Sequence, residues 1–229
     1  MTLRRGGDQV IPRPDSWRAG GEPAWLSRDL SVLHQFDEVV ERISTRSFED
    51  HVRHEELNQE WVRSSRPSAV LIALVDAPEG PSVVLTRRAE HLRNHKREIS
   101  FPGGRMDPDE LAHEAALREA HEEIGLDPAV VTIVSGLAPI TTFVSNSFIN
   151  PVVGVVAGRP SLVPHEAEVA RVMSVPLHDL ARADTYRNEW WTTPRGEINI
   201  HFFHLDDETV WGATARMLHQ FIDIVTHGD

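Results

Sequence analysis

The chain has 229 residues, of which 40% are hydrophobic and 25% charged, a composition typical of a globular protein with room for one generous domain. Its net charge of −12 argues against broad electrostatic binding to nucleic acid or anionic membranes, so any bound polyanion requires a local basic patch. The absence of cysteine excludes disulfides, thiolate zinc sites and cysteine nucleophiles.

Targeting signals are not apparent in the sequence. The N-terminal residues carry charge without the apolar stretch of a secretory signal. The longest clear apolar run, from Ala69 to Val75, is far too short to span a bilayer. We therefore expect a cytoplasmic protein that has neither nucleic acid nor a membrane as a partner.

The N-terminal part, residues 1–65, is predicted to be an extension with at least one helix. Residues 1–24 are rich in Gly, Pro and Arg without periodicity, which predicts extended or poorly ordered chain. A helix is predicted from Ser27 to about Thr45, because apolar residues recur there at helical spacing. These residues are Leu30, Leu33, Val40 and Ile43.

Residues 66–229 are predicted to form the main domain, whose strand candidates are rich in β-branched and aromatic residues. In chain order they are RPSAVLIALV, VVLT, AVVTIVSGLAPI, FINPVVGVVAG and INIHFFHL. A helix is predicted from about Asp109 to Ile124 with Gly125 past its end, and an amphipathic helix closes the chain before Gly228. Strands and helices mix without regular βαβ alternation, which favours an α+β class or an α/β/α sandwich.

The predicted central helix collects three glutamates, Glu119, Glu122 and Glu123, in its last turn. There they repel one another and the negative end of the helix dipole. A solvated acidic face is the usual explanation for such charges. However, the three lie within an arc of roughly 100° that continues a stripe of alanines, and a stripe of small residues can lie close to another part of the fold. A divalent cation would remove the repulsion, and carboxylate oxygens favour Mg²⁺ or Mn²⁺.

Two adjacent glycines, Gly103 and Gly104, precede this helix. Paired glycines often form simple turns. Without Cβ atoms, their backbone can also approach an ion or a phosphate closely, and a carbonyl group there could be a further ligand.

The segment from Gly104 to the end of REAHEEIGL is similar to the Nudix box, G-x5-E-x7-R-E-U-x-E-E-x-G-U, where U is a bulky aliphatic residue. Every fixed position is present, and only Ala120 is smaller than usual. The resemblance implies a Nudix hydrolase, an enzyme that cleaves a diphosphate joined to another moiety, with a mixed β-sheet between helices.

The same resemblance implies roles for individual residues. It assigns metal binding to Glu119, Glu122 and Glu123, helped by the backbone of Gly103. Arg118, counted with the catalytic residues, is expected to brace the glutamates together with Glu110. Family members often pair, which is compatible with a homodimer.

The stretch VLTRRAEHLRNHKREISFPGG, from Val84 to Gly104, resembles the signature of the coenzyme A pyrophosphatase branch. The resemblance implies cleavage of coenzyme A or an acyl-CoA to 4′-phosphopantetheine and adenosine 3′,5′-bisphosphate. The expected substrate-binding residues are Arg88, Arg93, Arg97 and Phe101. Arg97 stands where the signature has glycine, a departure that bears on the loop geometry and on substrate choice.

The expected reaction is attack of water on one phosphorus of the diphosphate, with a carboxylate taking up the proton. Glu119, Glu122 and Glu168 are the candidates for this base. Alternative substrates are ADP-ribose, NADH and dinucleoside polyphosphates. A different class of function is a non-catalytic Nudix-fold regulator that binds a nucleotide.

Overall fold

The computed structural model describes residues 6–45, 64–91, 97–142, 146–194 and 196–227. Its α-helices are α1 (Phe36–Ser44), α2 (Ala112–Ile124), α3 (Leu177–Leu180) and α4 (Gly212–Thr226). Short 3-10 helices span Ala24–Ser27, Ser31–His34 and Pro128–Val130. None of the helices in these ranges combines the length and the apolar character needed to cross a membrane.

The strands form two sheets. They are β1 (Trp17–Ala19), β2 (Arg66–Ala77), β3 (Gly80–Arg88), β4 (Ile99–Ser100), β5 (Gly103–Arg105), β6 (Val131–Gly136), β7 (Ile140–Thr142), β8 (Ser147–Val156), β9 (Val169–Pro176), β10 (Tyr186–Thr193), β11 (Gly196–His204) and β12 (Thr209–Trp211). The larger sheet has the order β4-β3-β2-β8-β6, with β5 paired to β2, β7 to β8 and β9 to β3. Its β2–β8 pair is parallel and its other pairs are antiparallel, so the sheet is mixed. The smaller, antiparallel sheet has the order β1-β10-β11-β12.

The mixed sheet is covered on both faces, and β2 shows why. Its side chains alternate between the faces, as they must in a strand. Leu71 packs in a cluster with Ala116 and the other small residues of α2. Ile72 packs in the opposite cluster, which includes residues of α1 and α4. This layering confirms the predicted α+β fold with its α/β/α sandwich.

The predicted strands RPSAVLIALV and VVLT are confirmed as parts of β2 and β3, which form an antiparallel hairpin that closes at the pair Ala77 and Gly80. The predicted single helix from Ser27 to about Thr45 is wrong in extent. Gln35 adopts an extended backbone, with φ −119° and ψ 102°, and separates the 3-10 turn Ser31–His34 from α1.

Helix α2 ends as predicted and begins later than predicted. Gly125 takes the left-handed conformation at φ 66°, and its N–H donates to the carbonyl oxygen of His121 at 2.9 Å. At the other end, Asp109 has φ 65°, which is not helical, so the helix starts only at Ala112. The closing helix α4 ends at Thr226, and Gly228 lies outside the described residues.

The described part of the N-terminal segment shares its core with the rest of the chain. Trp25 is 0% exposed, lies 4.8 Å from the ring of Tyr186, and donates from its Nε1 to the carbonyl oxygen of Ala181 at 3.1 Å. Arg13 forms a two-pronged ion pair with Glu189 of β10, at 2.8 and 2.7 Å. The extension is therefore tied to the second sheet by both packing and charge.

Replacing Trp25 with Phe should lower the free energy of unfolding by about 1–3 kcal/mol, because it leaves a cavity and removes the partner of the Ala181 carbonyl group. Urea denaturation followed by circular dichroism measures this change. Trp17→Phe is the matched control: Trp17 is 45% exposed on β1, so its replacement should change stability by about 0.5 kcal/mol or less. Equal effects of the two changes would contradict the core role of Trp25.

Candidate active site

The three glutamates at the end of α2 differ in their surroundings. Glu123 is 4% exposed, and its carboxylate accepts a hydrogen bond from the backbone N–H of Gly103 at 3.1 Å. The side chain of Glu119 is 16% exposed, whereas that of Glu122 is 56% exposed. The helix therefore presents one buried, one largely buried and one accessible carboxylate.

The two glycines of β5 allow the backbone to approach these carboxylates. A Cβ atom on Gly104 would lie 2.4 Å from the Cδ of Glu119 and 2.5 Å from each of its oxygens. A Cβ atom on Gly103 would lie 2.4 Å from the carbonyl oxygen of Ala69, since β5 pairs with β2. Gly103 therefore requires glycine, which its φ of 155° also favours, whereas a side chain at Gly104 would displace the carboxylate of Glu119.

Arg118 links the glutamates to the start of the helix. Its Nε and Nη2 donate to the two carboxylate oxygens of Glu110 at 2.8 and 3.0 Å. Its Nη1 donates to Glu119 at 3.0 Å and to Glu122 at 3.3 Å. The hydrogen bonds from Arg118 hold the pKa of Glu110 below its usual value. Arg118 therefore contacts Glu110 and two of the candidate metal ligands at the same time.

When all of these carboxylates are ionised, their negative charges are not balanced by the positive charges beside them. Burial raises the pKa of Glu123 to about 7, opposed by the Gly103 N–H and by Arg88, and the charges of Glu119 and Glu168 raise it further. Burial also raises the pKa of Glu119, and the charges of Glu122 and Glu168 act in the same direction. A nearby positive charge would reduce the repulsion between these carboxylates.

The residues present fit a hard divalent cation by their chemistry, since the candidate donors are carboxylate oxygens in a setting of excess negative charge. Across the described ranges, however, no group of three or more His, Asp or Glu side chains is arranged so that it could hold an ion. Glu119 is instead bonded to Arg118, and Glu122 is mostly exposed.

Glu168, one of the candidate bases, lies at the edge of the same site. It is exposed, just before β9, and its carbonyl oxygen accepts from the N–H of Ala89 at 2.9 Å. Its charge affects both Glu119 and Glu123. The fold thus brings Glu168 to the box although it is distant from it in sequence.

The four expected substrate-binding residues lie in different settings. Arg88, whose side chain is 29% exposed, has its Nη1 3.7 Å from the carboxylate of Glu123. Phe101 is 1% exposed within the core, so its side chain supports the loop by packing and does not face a substrate. Arg93 lies outside the described residues.

Arg97 is held by partners within the protein. Its guanidinium forms ion pairs with Asp8 and with Glu90, the latter at 3.3 Å. The carbonyl oxygen of Arg97 accepts from the side-chain amide of Gln9 at 3.2 Å. The contacts of Asp8 and Gln9 with Arg97 could not be predicted, because residues 1–24 show no periodicity and no local motif that indicates them.

A model of the NUDIX domain family matches residues 65–195, which include the central helix, both glycines and Glu168. The chain belongs to the Nudix family. An uncharacterised Nudix hydrolase of Yersinia enterocolitica, NudL, is 36% identical over 159 residues, covering 68% of this chain and 79% of that protein. NudL of Yersinia pseudotuberculosis is 35% identical over 158 residues, covering 68% and 77%.

Among solved structures, the Nudix hydrolase RenU of M. smegmatis is similar with 25% identity and a TM-score of 0.44, covering 51% of this chain and 74% of that one. Family membership makes the protein a hydrolase that acts on diphosphate bonds. Nudix hydrolases generally use divalent metal ions.

Proposed function

We propose that this Nudix hydrolase cleaves the diphosphate of coenzyme A or of an acyl-CoA, with Mg²⁺ or Mn²⁺, to 4′-phosphopantetheine and adenosine 3′,5′-bisphosphate. The observation that supports this most directly is the approach of Arg88 to within 3.7 Å of Glu123. Arg88 belongs to the stretch that resembles the coenzyme A pyrophosphatase signature, and Glu123 belongs to the box. The contact brings the two motifs into one site.

In this proposal, individual residues have the following roles. Arg88 can donate hydrogen bonds to phosphate oxygens through its planar guanidinium. Arg118 orients Glu119 by its hydrogen bond at 3.0 Å. A divalent ion held by Glu119, Glu122, Glu123 and the backbone of Gly103 would neutralise phosphate charge and acidify the attacking water.

Glu168 is the better candidate to accept the proton of the water. Glu119 and Glu122 both accept hydrogen bonds from Arg118 and both are expected to bind the metal, so their oxygens are already engaged. The carboxylate of Glu168 is exposed on the neighbouring loop, where water can reach it. It is close enough to the box for its charge to act on Glu119 and Glu123.

One observation favours the second set of substrates, ADP-ribose, NADH and dinucleoside polyphosphates, none of which carries the 3′-phosphate of coenzyme A. The guanidinium of Arg97 is already paired with Asp8 and Glu90, so less of its charge is available to a phosphate. A non-catalytic regulator is disfavoured because every glutamate of the box is intact.

A product assay by chromatography over coenzyme A, dephospho-CoA, an acyl-CoA, ADP-ribose, NADH and diadenosine tetraphosphate tests the proposal. We expect kcat/KM for coenzyme A to exceed that for dephospho-CoA by about tenfold, because a charge-assisted contact reads the 3′-phosphate. Equal rates for those two substrates, or a preference for ADP-ribose or NADH, would rule out recognition of coenzyme A.

Arg88→Met should lower kcat/KM for the preferred substrate by about tenfold or more, through loss of a charge-assisted phosphate contact. Arg66→Met is the control, because Arg66 is an exposed arginine at the start of β2. The same loss in both variants would point to a general effect of charge and would remove Arg88 from the substrate site.

A further inference from the structure

Residues 6–9, here called the N-terminal brace, run alongside the connection between β11 and β12. The N–H of Gly7 donates to the Oγ1 of Thr209 at 3.0 Å, and the N–H of Thr209 donates to the Oε1 of Gln9 at 2.8 Å. The brace fits tightly here, because a Cβ atom on Gly7 would lie 2.6 Å from the carbonyl oxygen of Asp207. One side of the brace is therefore fixed to the second sheet.

The other side of the brace holds the loop before β4. Gln9 donates from its Nε2 to the carbonyl oxygen of Arg97 at 3.2 Å and also bonds the carboxylate of Glu208. Asp8 pairs with the guanidinium of Arg97 and lies 3.5 Å from the Nη2 of Arg87. Glu208 is 0% exposed and accepts from the Nη1 of Arg87 at 2.8 Å, so the contacts form one connected network.

The backbone of Arg97 needs such support. Its φ of 61° is left-handed, a conformation that a residue with a Cβ atom adopts only at a cost. The glycine of the signature that this stretch resembles would adopt it freely. Here an arginine takes this left-handed shape, while its side chain and its carbonyl group are both bonded to the brace.

The chain after Arg97 leads directly to the site. The carbonyl oxygen of the next residue, Glu98, accepts from the N–H of Arg88 at 3.0 Å. Strand β4 follows, and then Gly103, whose N–H bonds Glu123. We propose that the N-terminal brace is a positioning element that holds Arg97 left-handed and thereby sets residues 97–103 against the substrate. The role in substrate binding rests on the proposed function, whereas the hold on the backbone does not.

Hydrogen–deuterium exchange and steady-state kinetics of Asp8→Asn and Gln9→Ala test the brace. Each change should accelerate amide exchange in residues 98–103 by about fivefold or more, because the left-handed residue loses its partners. Each should raise KM for the best substrate of the panel about three- to tenfold with kcat within about twofold, since misplacement weakens binding before chemistry. Asp15→Asn, an exposed aspartate of the same segment, should leave both measurements at wild-type values.

The decisive comparison adds Arg97→Gly. Glycine has no Cβ penalty at φ 61°, so Asp8→Asn should have no further effect on exchange in that background. Exchange at the wild-type rate in both single variants, or an equal effect of Asp8→Asn with Arg97 and with glycine at this position, would overturn the brace. Faster exchange with unchanged KM would overturn its role in substrate positioning. If the wild-type protein hydrolyses no substrate of the panel, the proposed function fails while the exchange measurements still decide on the brace.

Discussion

Replacing Glu122 with Gln is expected to lower kcat for Mg²⁺-dependent hydrolysis by roughly a thousandfold or more. Glutamine keeps the shape of the side chain but loses the negative charge that a divalent cation requires. The fold should not respond, because the side chain is 56% exposed and has one long hydrogen bond, 3.3 Å from Arg118. The free energy of unfolding should stay within about 0.5 kcal/mol of the wild-type value.

Turnover at saturating substrate measures the loss of kcat, and calorimetric titration with Mn²⁺ measures the loss of metal binding. His121→Gln is the control, since His121 is an exposed residue of the same helical turn. It should bind Mn²⁺ and turn over as the wild type does. Unchanged turnover in the Glu122 variant would remove this residue from the metal site and leave Glu119 and Glu123 to be tested in its place.

Gly104→Ala is expected to lower kcat/KM by about a hundredfold, through displacement of Glu119. The new methyl group would lie 2.4 Å from the Cδ atom of Glu119, and atoms cannot remain at that distance. The carboxylate must therefore move, and its hydrogen bond of 3.0 Å with Arg118 must change as well. Helix α2 itself is not altered, so the loss should appear mainly in catalysis.

Kinetics with Mg²⁺ and a crystal structure of the Gly104 variant measure the effect and its cause. Gly21→Ala is the matched control, because no atom lies within 4 Å of the position that its Cβ would occupy. The variant could keep Glu119 in its original place or retain the wild-type kcat/KM. Either result would show that the close approach of Gly104 to Glu119 does not determine the activity of the site.

The parts of the site that the sequence predicted are those that depend on local spacing. Glu119 and Glu123 share a helix with Arg118, so their common face follows from helical geometry alone. Gly125 likewise ends α2 because the left-handed conformation is a local requirement. Strand β2 could be predicted because both of its faces are buried, which gives a nearly continuous run of apolar residues in the sequence.

The parts that could not be predicted are contacts between residues far apart in the sequence. Gln9 and Arg97 are separated by 88 positions, and neither residue type at its place indicates a partner. Phe101 fits the branch signature, but a signature does not show whether an aromatic ring faces a substrate or the core, and here the ring is buried. The helix predicted from Ser27 is wrong in extent because the helical spacing of apolar residues continues across Gln35, whose backbone is extended.

The contact between Trp25 and Ala181 has a consequence for synthesis on the ribosome, because the two residues are 156 positions apart. At roughly 5–20 residues per second, the indole would wait about 8–30 s in the nascent chain for its acceptor to be translated. During that interval a large apolar ring is exposed, which is the kind of surface that chaperones bind. The core around Trp25 can therefore form only after the chain has been made as far as Ala181.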